Sequence, residues 1–377
     1  MAAVSASRSS VVGDNKLSRL RITFVSPSVS MSGGIKVMAI YAKMLAELGH
    51  RVVVVSPPAA SIPLRQKFKS LLKHQVWPVR KLPVSHFDGL GLDHRVLSNH
   101  RAVADQDVPD ADVVIATWWE TAEWVYALNV SKGAKIYFIQ GHEIFDFVPK
   151  ERCRATYRLP LHKIVIAKWL AELMRDEYGD ADVDLVPNSV DHQQFFAVKR
   201  SKQARPTLGF LYHKAALKGV DVTLAAVAAL REKYPNLRVL CFGSHAPDNL
   251  TTFADYIEFE QSPPQNKIRD IYGQCDVWVT ASRSEGFNLP AMEAMACRAP
   301  VVSTKTGWPE EAITNGVNGY LVEVDDVGGL VESVSRILDA DDQAWRVMSQ
   351  AAFLTVAESS WAKSCAQFEA VLRRVCQ

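Results

Sequence analysis

The chain is 377 residues long and short of several things that would place it quickly. No apolar run reaches the roughly 18 residues of a spanning helix, so none is expected. The six cysteines (Cys153, Cys241, Cys275, Cys297, Cys365, Cys376) include no C-x-x-C pair and no metal-ligand spacing. That argues against a zinc module or a dithiol redox site and for reduced thiols. The dinucleotide fingerprint G-x-G-x-x-G is missing, since Gly33-Gly34 runs on into Ile35-Lys36-Val37. No acid is placed for an adenosine ribose, which argues against a nicotinamide oxidoreductase. Net charge is only +2 and no RNA or DNA motif is present, so no nucleic-acid partner is expected. The Ser-rich first 18 residues lack the apolar centre of a signal peptide. They are expected to be a disordered start on a cytoplasmic protein.

What is present is apolar strands alternating with helices. Arg21–Val25 and Val52–Val55 flank a helix over about 35–48, with Gly33-Gly34 expected as the turn before it. Val113–Ala116, Ile136–Ile139 and Ile164–Ile166 continue the series. Uninterrupted apolar strands joined by helices indicate parallel βαβ units. Pro187–Asp191 and the polar stretch 199–206 read as a boundary. The alternation restarts at Thr207–Leu211 and Arg238–Phe242, continues at 276–282, 300–303 and 318–322, and ends in helices near 344–354 and 361–375. The expected layout is an N-terminal domain over 19–190, a second domain over 191–360, and a last helix, 361–377, packing back on the first. Ligands of such sheets sit beyond the strand carboxyl ends.

The most informative stretch runs from Ser284 to Cys297. Glu285 and Glu293 lie eight positions apart across a Gly-containing turn that enters a helix at Pro290. A helix start offers unpaired N–H groups and a positive dipole end. An anion site flanked by two hydroxyl acceptors suits a nucleotide-sugar.

Segment 276–326 resembles the donor-binding signature of retaining GT-B glycosyltransferases of the glycosyltransferase 4 type (glycosyl transferases group 1), with rhamnosyl- and polysaccharide-type members most similar. The matching stretches are Ser284–Phe287, Leu289-Pro290, Glu293–Ala296, Pro300–Ser303, Pro309–Glu311 and Gly316–Val322. The resemblance implies a GT-B fold, two Rossmann-like domains facing across a cleft. It implies a nucleotide-diphosphate-sugar as substrate, no metal or other cofactor, and a glycan or lipid-linked acceptor. Glu285 would take a sugar hydroxyl and Glu293 the ribose. The backbone of Gly286, Phe287 and Asn288, followed by Leu289, would face the sugar and pyrophosphate. Asn288 stands where the family usually has Gly.

Lys218, in His213–Asp221, matches the family's phosphate-binding lysine. The family's arginine is replaced by His213 or by its neighbour Lys214. Gly33 and Gly34 would approach the donor phosphates, with Lys36 as a further contact. His142, in Gln140–Glu143, would face the transferring sugar, with Glu143 the runner-up. Together His142, Glu285 and Lys218 form the expected catalytic set. Thr117–Glu120 could line an acceptor with its tryptophans, or place them in the core. Asp182 and Asp184 have the D-x-D spacing of a metal site in another glycosyltransferase fold; their context reads as turn chemistry. Residues 64–81 are rich in Lys and Arg without an acid, and suit either a peripheral membrane helix or a solvated one. A non-catalytic nucleotide-sugar binder and a nucleotide-sugar epimerase remain the alternatives.

Overall fold

The computed structural model describes residues 18–58, 85–247 and 255–377. Most of the Ser-rich start and all of the basic segment 64–81 lie outside the described residues, as do residues 248–254.

The first unit runs β1 (Arg21–Val25), α1 (Gly33–Glu47), β2 (Arg51–Ser56), β3 (Asp93–Val96), β4 (Val113–Ala116), α2 (Trp119–Ala127), β5 (Ala134–Ile139), α3 (Lys150–Thr156), β6 (His162–Val165), α4 (Lys168–Tyr178) and β7 (Val183–Leu185). Its strands form one parallel sheet in the order β3-β2-β1-β4-β5-β6-β7. The four central runs are largely apolar and are buried beyond their first residues, as strands covered on both faces are. β3, with sequence DHRV, is partly exposed at the sheet edge, so no hydrophobic pattern announces it.

The second unit runs β8 (Thr207–Leu211), α5 (Val220–Lys233), β9 (Arg238–Gly243), β10 (Ile257–Gln261), α6 (Gln265–Gln274), β11 (Val277–Thr280), α7 (Leu289–Ala296), β12 (Val301–Thr304), α8 (Trp308–Ala312), β13 (Gly319–Val322), α9 (Val327–Asp339) and α10 (Asp342–Val356). Its sheet order is β10-β9-β8-β11-β12-β13, again parallel. In both sheets the order reverses beside the first strand, which opens a crevice at the strand carboxyl ends. Two Rossmann-like units facing across a cleft constitute the GT-B fold.

The final helix, α11 (Trp361–Val375), begins at Ser360, whose hydroxyl accepts the Lys363 N–H. It returns to the first unit. Phe368 stacks on Tyr41 with ring centroids 4.5 Å apart and meets Phe138 edge-on at 5.2 Å. Glu369 lies 3.1 Å from His50 Nε2, and Arg374 pairs with Asp184. Asp184 also holds His162 Nε2 at 2.6 Å, so this half of the D-x-D pattern is used in structure.

The expectation for Gly33-Gly34 is corrected. These residues form the first turn of α1, after Ser32 in an extended conformation, and are not a turn that precedes the helix. The glycine pair reads as punctuation, yet the backbone there is already helical. A Cβ on Gly33 would meet nothing within 4 Å, and one on Gly34 would touch the Gln140 side chain at 3.6 Å.

Candidate active site

The candidate site is built where the carboxyl ends of both sheets meet. A cavity of about 260 Å³ opens between the units. Its first-unit wall includes Gly34, Trp118, Gln140, His142 and Phe145, and its second-unit wall includes Lys218, Glu285 and Gly286. A smaller pocket of about 30 Å³ continues from it, lined by His213, Lys218, Glu285 and Asn288 among others. Lys218 and Glu285 line both, so they stand where the two adjoin.

Lys218 ends a short 3-10 turn, Ala216–Lys218, and Gly219 follows in the left-handed region at φ 59°. A Cβ on Gly219 would lie 1.8 Å from the Ala281 carbonyl oxygen, so only glycine fits there. This close approach sets Lys218 against the end of β11. Its Nζ donates to both Glu285 oxygens, at 2.7 and 2.8 Å, and Ser282 Oγ donates to Oε1 at 2.7 Å. The Glu285 side chain is 9% exposed and that of Lys218 is 28% exposed. Each charge-assisted contact of this kind contributes about 1.5–3 kcal/mol. The two residues expected to hold sugar and diphosphate are therefore paired with each other.

Asn288 explains its own departure from glycine. It lies in the left-handed region at φ 77°, and Asn is among the few non-glycine residues that adopt it readily. Its side-chain oxygen accepts the Ala291 N–H at 3.3 Å, and its amide donates to Thr280 Oγ1 at 2.9 Å. It caps α7 while forming part of the pocket wall.

Glu293 is placed differently from Glu285. It sits in α7, 8% exposed, and lines neither cavity. Lys36 of α1 donates to it across the cleft at 3.1 Å, and Tyr272 donates its hydroxyl at 3.0 Å. Lys36 thus bridges the units, a partnership 257 residues apart in sequence. Gly33, Phe287 and Leu289 also fall outside both walls. Phe287 stacks on Trp308 at 5.6 Å, which packs the loop behind Glu285.

His213 Nδ1 accepts the Ala215 N–H at 3.0 Å, so a neutral ring carries its proton on Nε2. Burial, then the neighbouring Lys218 and His245, hold its pKa below the ordinary histidine value. Lys214, exposed, lines neither cavity. Of the two candidates for the missing arginine, His213 is the one at the pocket.

In the first unit, His142 Nε2 lies 2.7 Å from the Tyr178 hydroxyl. Burial keeps the ring below its usual pKa and hence neutral near pH 7. Glu143 is buried behind it. One of its oxygens accepts the Trp119 N–H at 2.7 Å and the Tyr137 hydroxyl at 3.2 Å. Those donors favour the anion, but burial outweighs them and pushes the carboxyl up to about 8. Glu143 thus closes the start of α2 as a neutral acid at pH 7.

Sequence reasoning missed the residues that join the units. Trp169 Nε1 donates to the Gly286 carbonyl at 3.0 Å, and the Trp169 backbone N–H donates to Glu311 at 3.0 Å. A Cβ on Gly286 would lie 1.9 Å from the Gln140 carbonyl oxygen, so the two backbones touch at this glycine. The only signal available was position: Gln140-Gly141 and Gly286 each follow a strand end. Among the described residues, no group of three His, Cys, Asp or Glu is placed to hold a metal ion.

Residues 205–340 match the family model described as "Glycosyl transferases group 1". The D-inositol 3-phosphate glycosyltransferase of Mycolicibacterium smegmatis is 34% identical over 158 residues, covering 39% of this chain and 35% of that protein. That of Mycobacterium marinum is 31% identical over 230 residues, covering 55% and 48%. The matched region therefore spans about a third to a half of these relatives. The fold is similar to that of sucrose-phosphate synthase from Thermosynechococcus elongatus, with a TM-score of 0.71 at 16% identity, covering 95% of this chain and 99% of that one. It is also similar to Anabaena HepE in complex with UDP and glucose, at 0.68 and 16%, covering 94% and 100%.

Proposed function

We infer that this chain, a GT-B frame with a glycosyl transferases group 1 domain in its second half, moves a sugar from a nucleotide-diphosphate donor to a hydroxyl acceptor. The reaction is a hexosyl transfer with the anomeric configuration retained. The acceptor is a glycan or glycolipid of the cell surface, met in the cytoplasm or at the inner membrane face. The observation that carries this reading is the Lys218–Glu285 pair, which lines both cavities. The two groups are of opposite charge, and a nucleotide-sugar brings a partner for each. Its diphosphate takes Lys218 and its sugar hydroxyls take Glu285.

The rest of the site then has work to do. Lys218 meets charge as it develops on the leaving diphosphate, the main lever for such a reaction. His213 offers its Nε2 proton to the same group. Glu293 is assigned to the ribose, which requires Lys36 to give up its contact. His142, neutral, faces the sugar from the acceptor side. The departing phosphate oxygen can take the proton of the attacking hydroxyl on the same face, so no protein nucleophile is needed. The wall between the units keeps water from the donor. UDP, in the HepE complex, is the nucleotide with which testing starts.

The test compares Glu285→Ala with Glu293→Ala by calorimetry with UDP-sugars and by UDP release with acceptor present. Glu285→Ala is expected to abolish transfer with UDP still bound, and Glu293→Ala to weaken UDP binding about tenfold, which is about 1.4 kcal/mol. Wild-type transfer by both variants would refute the assignment.

A further inference from the structure

We propose that Trp118, Phe145 and Phe147 form a stepped aromatic platform for a saccharide acceptor, leading its reactive end into the transfer cavity. This rests on the sugar-transfer reading above and adds which residues hold the acceptor, and by its sugar part rather than by an acyl chain. Trp118 and Phe145 line the cavity of about 260 Å³. Their rings are nearly parallel, 12° apart, with centroids separated by 6.3 Å. Phe145 and Phe147 are again nearly parallel, at 8° and 5.2 Å. Parallel rings in face contact lie only about 3.5–4 Å apart. The longer centroid separations mean that each ring is shifted sideways from the next, in the offset arrangement aromatic pairs prefer. The result is a staircase from the cavity to solvent, with part of each face uncovered.

Phe147 is the outer step and is 74% exposed. A large apolar ring left that open contributes little to its own core and keeps its face available to a ligand. The steps are held in position by backbone contacts. The Trp118 N–H donates to Thr121 Oγ1 at 2.9 Å, and the Val148 N–H donates to the Phe145 carbonyl at 3.2 Å. Aromatic anchors of this kind lose little conformational freedom on binding.

The surroundings select a sugar over an acyl chain. Asp146, between the two phenylalanines in sequence, has its side chain 98% exposed and lies 2.7 Å from Lys150. An acyl chain would offer neither charged group a hydrogen bond. A pyranose has a flat face of C–H groups for the rings and hydroxyls at its edge for Asp146 and Lys150. It satisfies both kinds of surface at once.

The experiment is saturation-transfer NMR of the full chain against soluble gluco-, galacto- and manno-oligosaccharide trimers, with sedimentation of phosphatidylinositol vesicles alongside. At least one trimer is expected to receive saturation on its ring C–H protons. Phe147→Leu and Trp118→Ala are expected to weaken that signal roughly three- to tenfold, the range of a lost stacking contact, while Phe147→Tyr keeps it. The proposal is overturned if no trimer is saturated, if the Phe147→Leu variant gives the same signal as the native chain, or if the vesicles bind in a Phe147-dependent way and the trimers do not. UDP-glucose and GDP-glucose are read separately: failure of the wild type to bind any nucleotide-sugar counts against the proposed transfer, whereas failure of the trimers counts against the platform.

Discussion

Glu143→Gln should remove a pH dependence that the native chain carries. In the unfolded chain this carboxyl titrates near its ordinary value of 4.5, and in the fold burial moves it to about 8. Below pH 4.5 both states hold the proton and the group contributes no pH dependence. Between 4.5 and 8 the unfolded chain ionises first, so native stability falls as pH rises. Above 8 both states are ionised and the loss is constant. Each pH unit of this window is worth about 1.4 kcal/mol. The full window is then worth about 5 kcal/mol, an upper figure because water reaching the site reduces it. Gln keeps the oxygen that accepts from Trp119 and Tyr137 but has no charge to bury. Its amide N–H groups need partners, a cost of about 1–3 kcal/mol that does not vary with pH. The slope of the difference is therefore the readout, not its absolute value. Thermal melts of both proteins from pH 5 to 9 provide it. For a unit of this size, 1 kcal/mol moves Tm by about 2–4 °C, so the variant should gain about 10 °C on the native protein between pH 5 and 8. Melting curves that stay parallel across that range would refute a neutral Glu143.

Two further outcomes follow from the geometry. The His213 ring has its pKa lowered in the free protein by burial, then Lys218 and His245. A bound diphosphate raises it, so UDP-glucose affinity should increase as pH falls from 8 to 6, and His213→Gln should flatten that dependence in calorimetry. Gly219→Ala places a Cβ 1.8 Å from a backbone oxygen at φ 59°. It should cost about 3 kcal/mol or more by denaturant unfolding and abolish UDP binding by displacing Lys218, and a variant as stable as the native chain would contradict the close approach.

How much of this was legible in the sequence depended on how local the signal was. β4 and β8 are short apolar runs bounded by polar residues, and they appear as read. The phrase around Glu285 carries its own turn and helix start, and α7 begins close to where it was read. β3 escaped because an edge strand with polar residues has no hydrophobic pattern. Gly33-Gly34 misled because glycine at a helix start resembles glycine in a turn. The contacts that join the units could not be seen at all. Lys36–Glu293 spans 257 residues and Trp169–Gly286 spans 117, and neither leaves a local trace. Asn288, standing where the family usually has Gly, caps a helix in a left-handed conformation, which only its backbone angles reveal.

The most direct measurement of the central claim is the fate of a nucleotide-sugar in the presence of wild-type protein. A scan of UDP-, GDP- and dTDP-sugars with glycan acceptors, read by nucleotide release and by the anomeric coupling constant of the product, should find at least one donor whose sugar is transferred with its configuration retained. Lys218→Ala should reduce that rate by a hundredfold or more, about 2.7 kcal/mol in the barrier. Transfer with inverted configuration would contradict the retaining mechanism. Nucleotide binding with no sugar released from any donor would contradict the account of this site as a transferase.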